Sequence, residues 1–420
     1  MTITPDQLPH NGFPMPDGTV DPHWQQVYRH LHAHPELSGV EFDTARLVAD
    51  ELRALPGWEV SEGIGGTGVV GVLHGGPGPV IWLRADMDAL PVQEDTGLDY
   101  MSRNPGVMHA CGHDMHVTAL LAACARLAAE PFAGTVVAIF QPAEETGGGA
   151  RAMLDDGLLE RVPRPRICLG QHVSPLPAGL IASKGGPIMA ASDSVRIVLS
   201  GKGGHGSTPH LAVDPVSMAA SLVLRLQSLT ARQTARPSSP VLTVGALHAG
   251  TRPNIIPETA EMLLTLRTFS DSARQLMLDG IERLARAEVE AAGAPEAPRI
   301  ECYDRFPVTV NTPADTDRVL AAFTAAGLPA LTLPHPQTGS EDFGVLGTAA
   351  ECPSVFWHIG GYPLDRFSEE DRAVMLADHT LPANIPANHS PHFAPDPEQT
   401  LPAATAAMVT AARTELAVKA

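Results

Sequence analysis

Thiolate, imidazole and carboxylate side chains hold zinc and its first-row neighbours, and the stretch His109-Ala-Cys-Gly-His113 offers two of these three types close together. Gly112 would let the loop fold Cys111 and His113 around one point. A redox thiol or a surface loop is the competing reading, and no second cysteine stands in C-x-x-C spacing to support the first. Glu144 and Glu145 end an apolar run, and on extended backbone adjacent side chains leave in different directions. One carboxylate could then hold a cation while the other faces a water as general base; standing alone, the pair would read as solvated surface charge. His172 follows another apolar segment and His389 sits in an Asn-His-Ser-Pro turn. Each could bring an imidazole from a separate element, as a two-metal centre requires, although either alone would read as a structural or exposed histidine.

Asp86 and Asp88 repel one another unless a cation or hydrogen-bond donors offset the charge, and Arg84 beside them could do so. Without that context they would simply cap a turn. Gly201-Lys-Gly-Gly-His-Gly-Ser-Thr-Pro-His210 invites a phosphate-loop reading, but Lys202 is misplaced for it and no Gly-Lys-Ser/Thr follows. His205 between glycines reads better as a mobile donor able to reach over a cleft. Asn254 and Arg267 are candidate partners for a substrate carboxylate or oxyanion, with Arg267 also readable as an ordinary strand-end charge.

The elements that must position these groups follow from periodicity and punctuation. Asp21-Pro22 starts a helix that ends at Pro35, and a second covers about residues 41–55. Residues 68–73 and 79–84 read as strands, 135–140 as a buried strand and 167–170 as another apolar segment, with polar clusters at Asp86, Glu144 and His172 after three of them, where open α/β sheets keep their ligands. Asp114 is placed to cap a helix over about residues 115–130. After Gly186 the pattern changes to strand-helix-strand-strand-helix-strand, a ferredoxin-like α+β unit inserted into the first. The expected division is an irregular arm over 1–20, a main domain over 21–186 and 307–420, and the insertion over 187–306. Ala291–Pro298 reads as a hinge, and residues 402–416 as a closing helix.

The chain has 420 residues, a net charge of -19 and a mean hydropathy of +0.01. Such an acidic surface would repel a phosphate backbone, so no nucleic-acid partner is expected. No apolar run reaches the roughly 18–20 residues of a membrane span, and no signal-peptide pattern opens the sequence, so a cytoplasmic address without membrane partners is expected. Five scattered cysteines make a poor disulfide framework.

The assembled motifs resemble the M20 metallopeptidases, in particular the aminoacylase-like amidohydrolases that include hippurate and auxin-conjugate hydrolases. The stretches that carry this are Arg29-His-Leu-His-Ala-His-Pro-Glu-Leu-Ser38, Leu83-Arg-Ala-Asp-Met-Asp-Ala-Leu-Pro91, Met108-His-Ala-Cys-Gly-His-Asp114, Gln141-Pro-Ala-Glu-Glu145, Gly201-Lys-Gly-Gly-His-Gly206, Asn254-Ile-Ile-Pro257, Gly339-Ser-Glu-Asp-Phe343 and His389-Ser-Pro391, in family order over almost the whole chain. The resemblance implies an α/β catalytic domain with a mostly parallel mixed sheet flanked by helices, interrupted by a lid domain that also forms a homodimer interface. It implies two divalent cations (Mn2+, Zn2+, Co2+ or Ni2+) held by Cys111, His113, Glu145, His172 and His389. It further implies Glu144 as general base, His205 as the lid histidine facing the oxyanion, Asn254 as substrate-binding, and Asp88 as the aspartate that orients a metal ligand. Asp86 replaces a histidine ligand of other relatives and stays outside the expected ligand set. The implied activity is hydrolysis of small N-acyl amino acids, with a dipeptidase or aminopeptidase, or a silent binding protein, as the alternatives. The long arm before Asp21 and the polar stretch 361–388 depart from the family pattern, so no acyl or amino-acid preference is carried over.

Overall fold

The computed structural model describes residues 21–233, 240–378 and 381–418; the arm expected over residues 1–20 lies outside them. The chain divides into two compact units, Met1–Ile188 with Val310–His335 and Asp342–Ala420, and Met189–Thr309 with Pro336–Glu341.

The first unit is an eight-stranded mixed sheet, in the order Trp58–Ile64, Gly68–Gly76, Gly134–Gln141, Val80–Asp86, Ile167–Pro177, Ser354–Tyr362, Ile181–Ser183 and Ala330–Thr332. Its four central strands run parallel, and every residue of Gly134–Gln141 is buried. Such strands, covered on both faces, must be apolar along their whole length, which explains the unbroken run Val136–Phe140. Helices Pro22–Ala33, Phe42–Ala54, His113–Ala128 and Pro397–Leu416 share one apolar core with the sheet. Each Leu, Ile or Val fully buried there contributes about 1.5–3 kcal/mol.

Three local expectations change. The Cys111 loop enters its helix at His113 rather than Met115, because Gly112, at φ +85°, makes the N-cap turn itself; Asp114 lies inside the first turn. The strand expected to end before His172 continues to Pro177, paired with Ser354–Tyr362. The closing helix starts at Pro397, capped by Asp396, and carries Pro402 within it.

The inserted unit contains strands Ala191–Ser200, Val241–Ala249, Thr259–Thr268 and Arg299–Phe306 with helices Pro215–Gln233 and Asp271–Ala291. All strand pairs are antiparallel, in the order second, third, first, fourth, which is the ferredoxin-like arrangement. The two helices meet at Gly280, where a Cβ would stand 2.6 Å from Leu229 Cδ1. Ala291–Pro298, expected as a hinge, instead joins a helix to an edge strand within this unit. Residues 336–341, expected with the main domain, group with the insertion: Ala190 N–H donates to the carbonyls of Gln337 and Gly339, and Thr309 Oγ1 donates to that of Glu341.

Candidate active site

Three segments of the first unit are tied together by one close backbone approach and by hydrogen bonds to backbone carbonyls. Gly112 has a left-handed backbone, and a Cβ on it would lie 2.4 Å from Val173 Cγ1, so only glycine allows the Cys111 loop to approach the His172 strand this closely. Asn388 Nδ2 donates to the carbonyls of both Cys111 and Val173, at 3.1 and 3.2 Å. The next residue, His389, is itself left-handed at φ +71° and donates its N–H to the Ala110 carbonyl at 2.8 Å.

These ties gather the candidate ligands. Cys111 Sγ lies 3.4 Å from His172 Nε2, and Glu145 Oε1 lies 3.8 Å from His113 Nε2 and 3.4 Å from His389 Nε2. Cys111, His113 and His172 form one group of possible ligand atoms, all within 4.8 Å of one another; Cys111, Glu145 and His389 form a second, and His113, Glu144 and Glu145 a third. The tautomers suit this use. His113 Nδ1–H donates to Asp88 Oδ1 at 3.1 Å and His172 Nδ1–H donates to the Val173 carbonyl at 2.7 Å, so in both rings it is Nε2 that faces the hollow.

The electrostatics of the hollow fit a cation. Among the described residues, His113 Nε2 and Glu145 Oε1 are buried without a hydrogen-bond partner, an arrangement that costs free energy unless a positive charge sits between them. Burial lowers the His113 pKa, but Asp86, Asp88 and Glu145 outweigh it and raise it to about 10. Burial, then Glu145, Glu144 and Asp86, push the Cys111 thiol up. Both groups face nearby carboxylates, whose negative charge a divalent cation would offset while favouring the thiolate. Burial and the neighbouring His116 hold His172 well below the usual histidine range, so its lone pair is available. The donor set, the unpartnered atoms and the nearby carboxylates all fit divalent metal.

Around this set, Asp88 uses both oxygens: beyond His113, its Oδ2 accepts from Ser38 Oγ at 2.6 Å and from Glu145 N–H at 3.0 Å. The turn before Glu144 is held by Glu41, whose Oε1 accepts the Ala143 N–H at 2.9 Å where Ala143 is left-handed at φ +48°. Glu144 is buried beside Glu145 and His113.

Sequence reasoning missed His116. It donates from Nδ1 to Asp86 and accepts the Val173 N–H at Nε2, 2.7 Å away. Arg84 Nη1 takes the other Asp86 oxygen at 2.7 Å. Although Asp86, His113 and His116 are close enough to hold an ion, Asp86 and His116 already have their atoms engaged and act as a brace. The i, i+3 spacing of His113 and His116 on one helix was the available signal. Asn388 and Glu41 carried no signal, since their roles depend on long-range contacts.

His205, Asn254 and Arg267 belong to the inserted unit. His205 pairs with Ile255 in a two-residue ribbon, and Gly206 N–H donates to the Asn254 carbonyl at 2.9 Å, so these two candidates are neighbours. His205 Nδ1 accepts from the Ser207 N–H at 3.1 Å, which fixes the proton on Nε2 and makes the exposed ring a donor. Arg267 is not brought beside them. Ser200 pairs with Thr259 but Ser192 with Arg267, so Arg267 sits at the opposite end of its strand, where it donates to Ser340 Oγ. Eight residues of strand amount to about 27 Å.

A family model described as Peptidase family M20/M25/M40 matches residues 82–381. The chain belongs to that family. The M20 chain is 39% identical over 343 residues to thermostable carboxypeptidase 1 of Saccharolobus solfataricus, covering 80% of this chain and 85% of the relative. It is 40% identical over 337 residues to the hippurate hydrolase of Campylobacter jejuni, covering 79% and 87%. Among solved structures, a Bacillus subtilis protein titled a dinuclear metal binding peptidase from the M20 family superposes with a TM-score of 0.74 at 30% identity, over 94% of this M20 chain and 98% of that one. The M20 hydrolase fold is thus shared along nearly its full length. Among the described residues, no helix is long and apolar enough to cross a membrane.

Proposed function

We propose that this M20 enzyme is a metal-dependent amidohydrolase that cleaves the amide bond of small N-acyl amino acids. The observation that carries the reading is the convergence of Cys111, His113, Glu145, His172 and His389 on one hollow with Glu144 beside it. Those five residues would hold two divalent cations, Mn2+, Zn2+, Co2+ or Ni2+, whose Lewis acidity acidifies a water and polarises the scissile carbonyl. Glu144 takes the proton of the attacking water and delivers it to the departing amine. Asp88 keeps His113 in the tautomer that presents Nε2 and fixes the backbone of Glu145. His205 is assigned the oxyanion, supported by its Nε2–H tautomer, and its neighbour Asn254 is assigned to substrate binding.

The two curated relatives agree at the level of the bond. Hippurate is an acylated glycine with a free carboxylate, and a carboxypeptidase also releases an amino acid with a free carboxylate from an acyl group. Hydrolysis of C-terminal peptide bonds is therefore the second reading, favoured by the carboxypeptidase relative. Assays with hippurate, N-acetyl amino acids and unacylated dipeptides separate the two; activity confined to the dipeptides would contradict the first.

Glu144→Gln should retain its metal and lose turnover by at least ~10²-fold, because the amide cannot accept the water's proton. Near-normal turnover in a variant of normal metal content would remove Glu144 from the role of base. We further propose a homodimer through the inserted unit, supported by its exposed Leu224, Val241, Leu247 and Ile255. A cytoplasmic address is supported by five unpaired cysteines.

A further inference from the structure

We propose that Cys168 and Cys352 are a peroxide-oxidisable pair that closes to an intramolecular disulfide. Cys168 lies near the start of strand Ile167–Pro177, and Cys352 lies in the turn that enters the parallel strand Ser354–Tyr362. Cys168 N–H donates to the Pro353 carbonyl at 2.9 Å and Cys168 is in register with Ser354, so sheet pairing sets the two residues side by side. Their sulfurs are 3.6 Å apart and both are free thiols. A disulfide needs about 2.05 Å, so closure asks for a movement of about 1.5 Å along a line of contact that already exists.

The other cysteines lack such a partner. Cys124 is buried in the core, Cys111 belongs to the candidate metal hollow, and Cys302 is exposed on an edge strand of the inserted unit.

The two thiols divide the chemistry by exposure. Cys168 is 1% exposed, whereas Cys352 is only partly buried and meets solvent first. The hydrogen bond from Cys168 lowers the Cys352 pKa and favours the nucleophilic thiolate, while burial raises that of Cys168. The Cys352 sulfur attacks hydrogen peroxide, the O–O bond breaks, and Cys352 becomes a sulfenic acid as one water leaves. The Cys168 sulfur then displaces the sulfenic hydroxyl, which departs with the Cys168 proton as a second water. In sum, two thiols and one peroxide give one disulfide and two waters, and the neighbouring thiol traps Cys352 before further oxidation.

The link joins strands that are already paired. His172 is in register with His358, four residues along from Cys168, so the bond forms away from the candidate ligands and leaves their geometry in place. It closes a long loop, and the oxidised protein should melt at a higher temperature than the reduced protein.

The test treats the metal-loaded enzyme with a few equivalents of hydrogen peroxide, alkylates the remaining thiols in denaturant and maps the peptides without reduction. The expected product is a peptide pair joining Cys168 to Cys352, two mass units below the sum of the two thiol peptides and released by dithiothreitol. The same treatment should raise the melting temperature of the wild type and leave Cys352→Ser unchanged. In Cys168→Ser, Cys352 should appear as sulfenic or sulfinic acid. Recovery of Cys352 as an alkylated thiol after Cys302 has been oxidised, or as sulfinic acid in the wild type, would overturn the proposal. Peptide mapping reads Cys111 separately, so a loss of activity through that residue does not enter the result.

Discussion

Both oxygens of Asp88 are committed, one to His113 Nδ1 and the other to Ser38 and the backbone of Glu145, so a single carboxylate orients two candidate ligands. An asparagine there keeps one acceptor oxygen and gains a donor, and cannot serve both partners. Asp88→Asn should weaken metal binding by about 10–100-fold while the fold survives. Competition against a chelator measures this, and unchanged affinity would show that Asp88 does not position the ligands. At this scale the sequence was informative about residue types and poor about tautomers. Cys111, His113, Glu144 and Glu145 stand in short motifs, so their chemistry is visible locally. The i, i+3 pair of His113 and His116 was visible, but the engagement of His116 with Asp86 and the Val173 N–H depends on segments 30 and 57 residues away.

Helix Pro22–Ala33 is fastened to helix His113–Ala128 by a buried cluster rather than by apolar packing alone. His32 Nδ1 faces Asp114 Oδ2 at 2.6 Å and its Nε2 faces Glu94 Oε1 at 3.1 Å, with Tyr28 and Tyr100 against the ring. Burial by itself would lower the His32 pKa, but Asp114 and then Glu94 outweigh it and raise it to about 9. Removing the imidazolium leaves two buried carboxylates without their cation, so His32→Gln should cost about 3–5 kcal/mol in urea unfolding. Because the folded pKa lies above the unfolded value, the stabilisation is whole below about pH 6.5 and is lost as pH rises through about 9. The gap between wild type and variant should therefore narrow from about pH 6 to about pH 9.5, and a gap that widens would contradict the charged assignment. Element boundaries divide on the same lines as the residues. The apolar strand Gly134–Gln141 was legible because both its faces are buried. Trp58–Ile64 was not, because it is an edge strand with Glu59, Ser61 and Glu62 facing outward, and its order comes from pairing with Gly68–Gly76.

The inserted unit has its own core, in which Val195, Ile197, Leu199, Leu222, Leu226, Met262, Leu264 and Ile281 are all buried. A fragment spanning residues 189–309 should consequently unfold in one cooperative thermal transition by circular dichroism; a broad, featureless melt would show that the unit depends on the rest of the chain. Its strand and helix order was legible from periodicity, but its grouping with residues 336–341 was not, since that rests on hydrogen bonds to Ala190 and Thr309 across long sequence separations. The same limit applied to the candidate centre. Cys111, His172 and His389 are distant in sequence, and only the sheet register and the Asn388 ties bring them together. The metal-free protein reconstituted with cobalt(II) tests that convergence most directly. It should bind two equivalents per chain and show a near-ultraviolet thiolate-to-cobalt charge-transfer band that disappears in a folded Cys111→Ser variant. A band unaffected by that substitution, or no band at full loading, would contradict the account.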